Sequence, residues 1–318
     1  MCNIVSFVFR GSYKCLLFIN HPKSLFLCFI FELTFVMILR NNNHKIYIMI
    51  KKHFLKEIEI SGTQSRGAAN SSKEVSKIQS WLNLYAFLNP SKGTSTGIDG
   101  DFGPATERAV KNYQKANGLT ENGIVTQELF RKMADPMIKA FTQPVEGTGL
   151  RELVVNAAKQ HLVAGARELT IKGEGNRGPW VRAYMDGSEG RDQLWCMGFV
   201  QTILDQATSQ VGGSFTNIVK RSFSCDAVAG EAQKRGSFIG YTLVRNRVYH
   251  VQPGDIFLLQ SSTNSHDWVH TGIVVESNGD VFETIEGNTN ADGSENGYGV
   301  LRRTRNFMKS KLDIIRID

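Results

Sequence analysis

The sequence has few cysteines, and none of them forms the pattern of a metal site or a disulfide framework. Five cysteines are spread over 318 residues, and no CxxC pair occurs. A disulfide-dense secreted scaffold is therefore excluded. No structural zinc site is expected either, because such sites take closely spaced ligand pairs. Only Cys196 and Cys225 lie beyond the first 60 residues.

The basic surface pattern of a nucleic-acid-binding protein is also missing. The net charge is +7, but residues 1–60 carry eight basic and three acidic side chains. The other 258 residues carry 29 basic and 27 acidic side chains, so they are nearly balanced. No basic stripe with interleaved aromatic residues occurs among them. We expect no nucleic-acid partner.

Residues 1–73 lack the pattern of a folded domain. Their apolar run, 25–39, holds 15 residues, which is short of the roughly 20 that a membrane-spanning helix needs. No small-residue cleavage site follows it. Three interpretations stay open: a membrane anchor or uncleaved leader, an unusual signal peptide, or a wrongly assigned start with the protein beginning at Met49. Residues 61–73 are typical of a flexible linker.

Residues 74–135 carry the pattern of three short helices around one small core. Apolar residues recur at helical spacing in the first of them, and Pro104 suits the first turn of the second. Thr126 is placed to cap the third. The stretch resembles the peptidoglycan-binding domain that is often fused to wall hydrolases. The resemblance rests on Ile98-Asp99-Gly100-Asp101-Phe102-Gly103-Pro104-Ala105-Thr106, on Tyr113-Gln114-Lys115-Ala116-Asn117-Gly118-Leu119 and on Asn122-Gly123-Ile124-Val125. It implies peptidoglycan as the partner, and we assign Asp99 and Phe102 to substrate binding.

Residues 136–149 are predicted to be a linker, and residues 150–318 a second domain that contains Cys196. A glycine-rich approach ends at Cys196, and an apolar helix is predicted to begin there. The positive end of a helix dipole lowers the pKa of a cysteine, and free backbone N–H groups at that end stabilise an oxyanion. The local pattern leaves an ordinary core cysteine as an equal alternative. Cys225 lacks this approach, and we interpret it as such a core cysteine.

The second half of this domain predicts an antiparallel sheet that brings polar residues together. His270 begins one predicted strand, and Glu286 and Asn288 end the next one along the chain. In an antiparallel pair these two ends are neighbours, so either residue is able to orient the imidazole of His270. His266 is the closest rival base, but it lies in a predicted loop. Helices followed by strands indicate an α+β fold.

Residues 150–318 resemble the CHAP family of papain-like cysteine amidohydrolases and peptidases. The resemblance rests on Trp195-Cys196-Met197-Gly198-Phe199-Val200, Pro253-Gly254-Asp255-Ile256, His270-Thr271-Gly272-Ile273-Val274 and Thr284-Ile285-Glu286-Gly287-Asn288-Thr289. It implies Cys196 as nucleophile, His270 as base, and Glu286 with Asn288 as the supporting pair. We assign the neighbouring Trp195 to substrate binding.

The expected function is that of a peptidoglycan amidase or endopeptidase, resembling an endolysin or autolysin, which acts as a monomer outside the cytoplasm at the cell wall. We expect neither a cofactor nor a metal, because the acidic loop at 186–192 lacks the alternating carboxylates of a calcium site. Membrane association would involve only residues 25–39. Two alternatives stay open: a non-catalytic wall-binding protein with a decayed hydrolase domain, and an antibacterial toxin aimed at the wall.

Overall fold

The computed structural model describes residues 49–264, 266–291 and 296–318, and five short strands before them. These strands are β1 Asn3–Phe9, β2 Tyr13–Ile19, β3 Leu27–Phe29, β4 Leu39–Arg40 and β5 Ile46–Tyr47. The first three pair in an antiparallel sheet, and β4 pairs with β5. Most of 25–39, the segment considered as an anchor, lies outside the described residues. Among the helices that are described, none has the length and hydropathy needed to cross a membrane.

The module predicted at residues 74–135 is helical, as its sequence predicts. Val75, Ile78 and Leu82 are fully buried on one face of its first long helix. Thr126 caps a later helix by accepting a hydrogen bond from the backbone N–H of Leu129 at 3.3 Å. The helices are α1 Phe54–Glu57, α2 Ser72–Leu88, a 3-10 turn Pro90–Lys92, α3 Pro104–Ala116, α4 Gln127–Met133 and α5 Asp135–Thr142.

The first predicted linker, 61–73, is folded against this module. The backbone N–H of Gln64 donates to the carbonyl of Val125 at 3.0 Å, and the reverse bond measures 2.9 Å. The buried Gln64 side chain accepts from the backbone N–H of Ser71, just before α2 begins. The polar residues of segment 61–73 therefore form a hydrogen-bonded turn. Composition alone does not distinguish such a turn from a flexible linker.

The second predicted linker, 136–149, contains the helix α5. Pro136 lies in its first turn, where no backbone N–H is needed, so the proline does not prevent the helix. Met137, Ala140 and Phe141 have helical spacing and are all buried. The ring of Phe141 stacks on Phe54 of α1 with 4.3 Å between centroids. The segment therefore packs in the core, where the prediction placed an exposed linker.

From residue 150 onward the helices lie before residue 246 and the longer strands after residue 255, with three short strands among the helices. The helices are α6 Leu150–Val163, α7 Pro179–Tyr184, α8 Cys196–Gln210, a 3-10 turn Phe215–Asn217, α9 Cys225–Arg235 and α10 Tyr241–Arg245. The strands are β6 Leu169–Ile171, β7 Glu174–Arg177, β8 Phe238–Ile239, β9 Ile256–Gln260, β10 Trp268–Asn278, β11 Val281–Thr289, β12 Gly299–Asn306 and β13 Leu312–Ile315. This order confirms a mixed fold of helices and antiparallel strands.

One sheet organises this part of the chain. Its strand order is β12-β11-β10-β9-β13-β8, and every neighbouring pair is antiparallel. The predicted hairpin between β10 and β11 is present, but Asn278 still pairs with Val281, so Gly279 and Asp280 form the turn. Helix α8 packs on β10 and β11, and nearly all of its residues are buried. The sheet therefore supports the amino end of α8 directly.

A continuous core joins the helical module to the sheet-containing part. Trp81 of α2 packs edge-on against Trp180 of α7, with 6.3 Å between ring centroids. At the edge of this contact Arg182 donates two hydrogen bonds to the buried carboxylate of Glu57, at 2.9 and 2.6 Å. The two parts are thus packed as one body over the described residues from 49 onward.

Candidate active site

Cys196 is the first residue of α8, as its sequence context predicts. The preceding residue, Trp195, is the N-cap, and Phe199, Val200 and Ile203 of the following turns are fully buried. The backbone N–H groups of a first helical turn have no partner within the helix. Cys196 therefore lies where a helix offers hydrogen-bond donors and positive potential. The residue is 3 % exposed, so only a small part of it faces solvent.

His270 is hydrogen-bonded to Glu286 across the β10–β11 pair. Nε2 of the imidazole lies 2.9 Å from Oε2 of Glu286, and both side chains are fully buried. Because Nε2 is occupied by Glu286, Nδ1 is the nitrogen that is left for the Cys196 thiol. Nδ1 makes no well-aligned hydrogen bond to any described residue. Such contacts are often loose in a catalytic site without substrate.

The Glu286 carboxylate is held on both of its oxygens. Arg305 of β12 donates from Nε to Oε1 at 2.8 Å and from Nη2 to Oε2 at 2.5 Å. The hydroxyl of Thr284 donates to Oε1 at 2.5 Å. A bidentate arginine fixes both the charge and the plane of a carboxylate. The line from Arg305 through Glu286 to His270 therefore orients the imidazole rigidly.

Burial and these hydrogen bonds compete over the charge of the two partners. Burial by itself would raise the pKa of Glu286, but hydrogen bonds from His270 and Arg305 lower it to about 2. Burial would lower the pKa of His270, yet its contacts with Cys196 and Glu286 raise it to about 9. Near neutral pH the pair is therefore a carboxylate and an imidazolium.

The pKa of the Cys196 thiol is shifted downward, in the direction opposite to the shift of His270. Its pKa lies well below the ordinary value, and the influence of the Cys225 thiol is the largest contribution to this shift. Burial opposes the shift, and the neighbouring imidazolium of His270 reinforces it. A thiolate beside an imidazolium is the reactive form of a cysteine nucleophile. The arrangement therefore supplies a charged nucleophile and a proton donor at the same point.

Two glycines allow these elements to approach closely enough. A Cβ on Gly287 would lie 2.6 Å from Cβ of Phe199 in α8, and one on Gly272 would lie 2.7 Å from Cγ of Glu286. Real Cβ atoms do not tolerate such distances, so a side chain at either position would push α8 from the sheet or displace Glu286. The two glycines are therefore part of how Cys196 reaches His270.

Asn288 does not take the role that Glu286 has. Its side chain is buried, but neither its amide nitrogen nor its amide oxygen has a hydrogen-bond partner in the described part of the chain. The register of β11 against β12 shifts between Glu286 and Thr289, and Asn288 has a left-handed backbone with φ 57°. The regular alternation that would place both side chains on one side therefore ends after Glu286. Of the two candidates, the structure brings Glu286 to His270.

The other histidines of this region are placed differently. His266 and His250 are exposed. His161 is fully buried in α6 and hydrogen-bonds Tyr184 Oη and Gln206 Oε1, each at 2.8 Å. Burial lowers the pKa of His161 to about 4, so it is a neutral core residue. Among these four histidines, His270 is the one that the structure places beside Cys196.

Trp195 lies inside the protein, and this burial argues against direct contact with a substrate. The residue is fully buried, its ring stacks on Tyr184 with 5.5 Å between centroids, and its Nε1 donates to Glu168 at 3.1 Å. These contacts fix the residue that precedes the nucleophile. The assignment of Trp195 to substrate binding stays a prediction, and its observed contacts are structural.

Asp99 and Phe102 of the helical module at residues 74–135 lie in different environments. Phe102 is 3 % exposed and packs in the core, so its ring does not face solvent. Asp99 lines a cleft of about 740 Å³ between α2 and the β6–β7 hairpin. Hydrogen bonds from the backbone N–H of Asp101 and from Gln79 lower the pKa of Asp99. Asp99 therefore keeps its predicted access to a ligand, whereas the burial of Phe102 counts against its predicted role.

Two acidic residues of the loop considered for calcium, Asp186 and Glu189, are engaged in ion pairs. Asp186 bonds Lys51 at 2.8 Å and Arg221 at 3.0 Å, and Glu189 bonds Arg182 at 2.7 Å. Within the ranges that the structure describes, no group of three or more His, Cys, Asp or Glu side chains is arranged to hold a metal ion. The loop is a structural ion-pair network.

Two residues of the site were not predicted from the sequence. Arg305 reaches Glu286 from β12, 19 positions along the chain, and Cys225, at the start of α9, contributes to the lowered pKa of Cys196. Cys225 is buried in the main core, which agrees with its interpretation as a core cysteine. Its helix-start position, with Ser224 as the cap, was a sequence signal that could have pointed to it.

Comparison with known proteins agrees with the helical module. Residues 71–133 match the family model described as "Putative peptidoglycan binding domain". The chain is also 40% identical over 73 residues to the zinc D-Ala-D-Ala carboxypeptidase of Streptomyces albus G. That match covers 23% of this chain and 26% of that protein, so about a quarter of the relative is spanned. No solved structure matches the chain significantly.

These comparisons define one part of the molecule. Residues 71–133 are a peptidoglycan-binding domain, and over 73 residues the chain is similar to a protein whose name is that of a peptidase. The family match ends at residue 133, before α8 and the sheet. The chemistry of the Cys196 site therefore has to be argued from its own geometry.

Proposed function

We propose that this protein is a peptidoglycan hydrolase in which Cys196, His270 and Glu286 cleave an amide bond of the bacterial wall by a papain-like thiol mechanism. The observation that carries the proposal is the buried line of Cys196, His270 and Glu286, with a hydrogen-bonded carboxylate behind the base. The peptidoglycan-binding domain supplies the substrate class. It also argues for a site of action at the cell wall, outside the cytoplasm.

The first half of the reaction forms a thioester. The Cys196 thiolate attacks the carbonyl carbon of the amide, and backbone N–H groups at the start of α8 stabilise the oxyanion. The imidazolium of His270 then gives its proton to the leaving amine nitrogen as the C–N bond breaks. The acyl group stays on the sulfur, and the amine departs neutral.

The second half returns the enzyme to its starting state. His270, now neutral, removes a proton from a water molecule that attacks the thioester carbonyl carbon. The C–S bond breaks, the product leaves as a carboxylic acid that releases its proton to solvent, and the thiolate and imidazolium are restored. Glu286 keeps the imidazole in the tautomer that presents Nδ1 to the sulfur, and it stabilises the positive charge of the ring.

The proposed mechanism does not use the zinc that appears in the name of the relative. The similarity spans 73 residues, close to the length of the wall-binding domain, and covers a quarter of that protein. In the part of this chain that the structure describes, His, Cys, Asp and Glu do not cluster as a metal-binding group. The residues present fit a thiol mechanism and offer no ligand set for zinc.

A decayed hydrolase domain would be expected to have lost at least one member of the site. Here the nucleophile, the base, the carboxylate and the arginine behind it are all in place, and the carboxylate is bonded at both oxygens. An antibacterial toxin would use the same chemistry, so that alternative concerns the target cell and leaves the reaction unchanged.

The test is the Cys196→Ala variant on purified peptidoglycan. We expect wall clearing to be abolished while the variant still sediments with the walls, because binding resides in a different part of the chain. His266→Ala serves as a matched control, since it alters an exposed histidine four residues from the base. Clearing by Cys196→Ala at the rate of the unaltered protein would disprove the proposal. Mass spectrometry of the released fragments would identify the amide that is cut.

A further inference from the structure

A cleft of about 740 Å³ lies where the peptidoglycan-binding domain meets the rest of the chain. One wall consists of α2 and the loop that holds Asp99, and the other consists of the β6–β7 hairpin and the loop after α7. Residues of α1 also line it. Clefts of this volume are typical of sites for small ligands. The hairpin lies outside the residues that match the domain family, so the cleft is formed by the whole chain and not by the domain alone.

The acidic side chains of the cleft already have partners. Three of the four that line it in the described part of the chain pair with arginines of the same cleft: Glu57 and Glu189 with Arg182, at 2.6 and 2.7 Å, and Glu174 with Arg177. The fourth, Asp99, accepts a hydrogen bond from the side chain of Gln79 at 2.7 Å. These arginines are therefore engaged within the protein, and the paired carboxylates leave little negative charge to attract a cation.

Three lysines of the cleft have no such partners. Lys56 of α1, Lys73 of α2 and Lys172 of the hairpin turn are exposed. None of the three makes an ion pair or a side-chain hydrogen bond with a residue that the structure describes. A further lysine, Lys77, pairs with Glu74 at 2.8 Å. Positive charges that line a cleft without counter-charges focus the electrostatic field on an anionic ligand.

The geometry of the hairpin turn does not explain why it holds a lysine. Ile171 pairs with Glu174, so Lys172 and Gly173 form a two-residue turn. Both have left-handed backbones, with φ 53° and 79°. The first position of such a turn favours asparagine or glycine, because a longer side chain is strained there. The ammonium group of Lys172 is instead explained by an anionic ligand in the cleft that it lines.

We propose that this cleft binds the carboxylates of the peptidoglycan stem peptide, with Lys56, Lys73 and Lys172 as the cations that hold them. The inference deepens the proposed function, because it rests on peptidoglycan as the substrate and names the part that is held. In the peptidoglycan repeat the sugars are N-acetylated and the lactyl carboxyl is in amide linkage with the peptide. Its negative charges therefore belong to the stem peptide. Ammonium groups on flexible stems form charge-assisted hydrogen bonds with carboxylates at several positions.

The test is isothermal titration calorimetry of the full chain carrying Cys196→Ala with a disaccharide–tetrapeptide that a muramidase releases from peptidoglycan. The alanine keeps the ligand intact during the titration. Replacing the three lysines by glutamine should weaken binding by about 10-fold, because three exposed ion pairs of modest strength are lost together. Binding to the parent protein should also weaken as the salt concentration rises. Chitotetraose, an uncharged sugar oligomer, should show no difference between the two proteins.

The matched control replaces Lys92, Lys115 and Lys309 by glutamine, because these lysines are exposed, lie outside the cleft and carry the same total charge. Unchanged affinity for the disaccharide–tetrapeptide in the cleft variant overturns the proposal, and so does an equal loss of affinity in the control variant. An equal loss of affinity for chitotetraose in the cleft variant overturns it too. The titration needs no turnover, so a failure of the proposed hydrolase activity would be seen separately, as wall clearing that persists in Cys196→Ala.

Discussion

Replacing Glu286 by glutamine removes one negative charge and one acceptor from the centre of the site while keeping the shape of the side chain. In the native protein Oε1 accepts from Thr284 and Arg305, and Oε2 accepts from Arg305 and His270. A glutamine has only one acceptor oxygen. Whichever way its amide is turned, its NH₂ group faces an N–H of Arg305, so a buried donor loses its partner.

The magnitude follows from the bond that is lost. A hydrogen bond to a charged group is worth about 1.5–3 kcal/mol, which corresponds to about one to two pKa units. The pKa of His270, about 9 in the native site, should therefore fall by about that amount. The imidazolium that protonates the leaving amine is then lost at lower pH. At pH 9 the protonated fraction of His270 should therefore fall from about one half to about 0.1–0.01, so we expect kcat/KM at that pH to fall by roughly 5- to 50-fold.

The assay is the initial rate of clearing of purified peptidoglycan across a pH series. We expect the alkaline limb of the activity to move to lower pH in Glu286→Gln. Glu283→Gln is the matched control, because Glu283 lies on the same strand but pairs with Arg302 at the surface. If Glu286→Gln kept both the rate and the alkaline limb of the native protein, the assignment of Glu286 as the orienting carboxylate would be refuted.

Three further predictions concern stability and inhibition. The buried pair of Glu286 and His270 should stabilise the fold most between about pH 4.5 and 6.5. The stabilisation from Glu286, whose pKa is lowered, is lost as pH falls towards 2, and the stabilisation from His270, whose pKa is raised, is lost as pH rises through 9. Chemical denaturation of the native protein and of Glu286→Gln at several pH values would show this dependence. Phe141→Ala should cost about 3–5 kcal/mol of unfolding free energy and lower one common melting transition, because Phe141 packs against both Phe54 and the helix α6; two separate transitions would contradict the shared core. Alkylation of Cys196 should stop wall clearing and a chelator should leave it intact; the reverse pattern would point to metal-dependent cleavage.

The amino-acid sequence by itself determined the elements whose signals are local. The helix that begins at Cys196, the helices of the wall-binding domain and the hairpin between β10 and β11 were predicted because apolar spacing, caps and turns act over a few residues. His270 and Glu286 were predicted as neighbours because an antiparallel hairpin brings the two strand ends together. This much of the site lies within 17 consecutive residues and one helix start.

What the sequence left open depended on distant parts of the chain. The choice between Glu286 and Asn288 was decided by a bulge in β11 and by Arg305 on the neighbouring strand. The linker predicted at 136–149 is partly a helix because its apolar residues have a partner, Phe54, more than 80 positions earlier. Composition does not reveal such a partner, because it reports how polar a segment is and not what packs against it.

Cys225 shows the same limit at the centre of the proposed site. In the sequence it is a cysteine at the start of a helix, 29 positions after Cys196, with no motif that joins the two. In the tertiary structure α8 and α9 both pack on β10, Gln201 of α8 bonds the carbonyl of Ser222 before α9, and Asp226 of α9 bonds the start of β10. The sequence alone thus predicted Cys196 and His270 as nucleophile and base, with the family resemblance favouring Cys196 over an ordinary core cysteine. Only the packing of two helices on one strand decided what surrounds the sulfur.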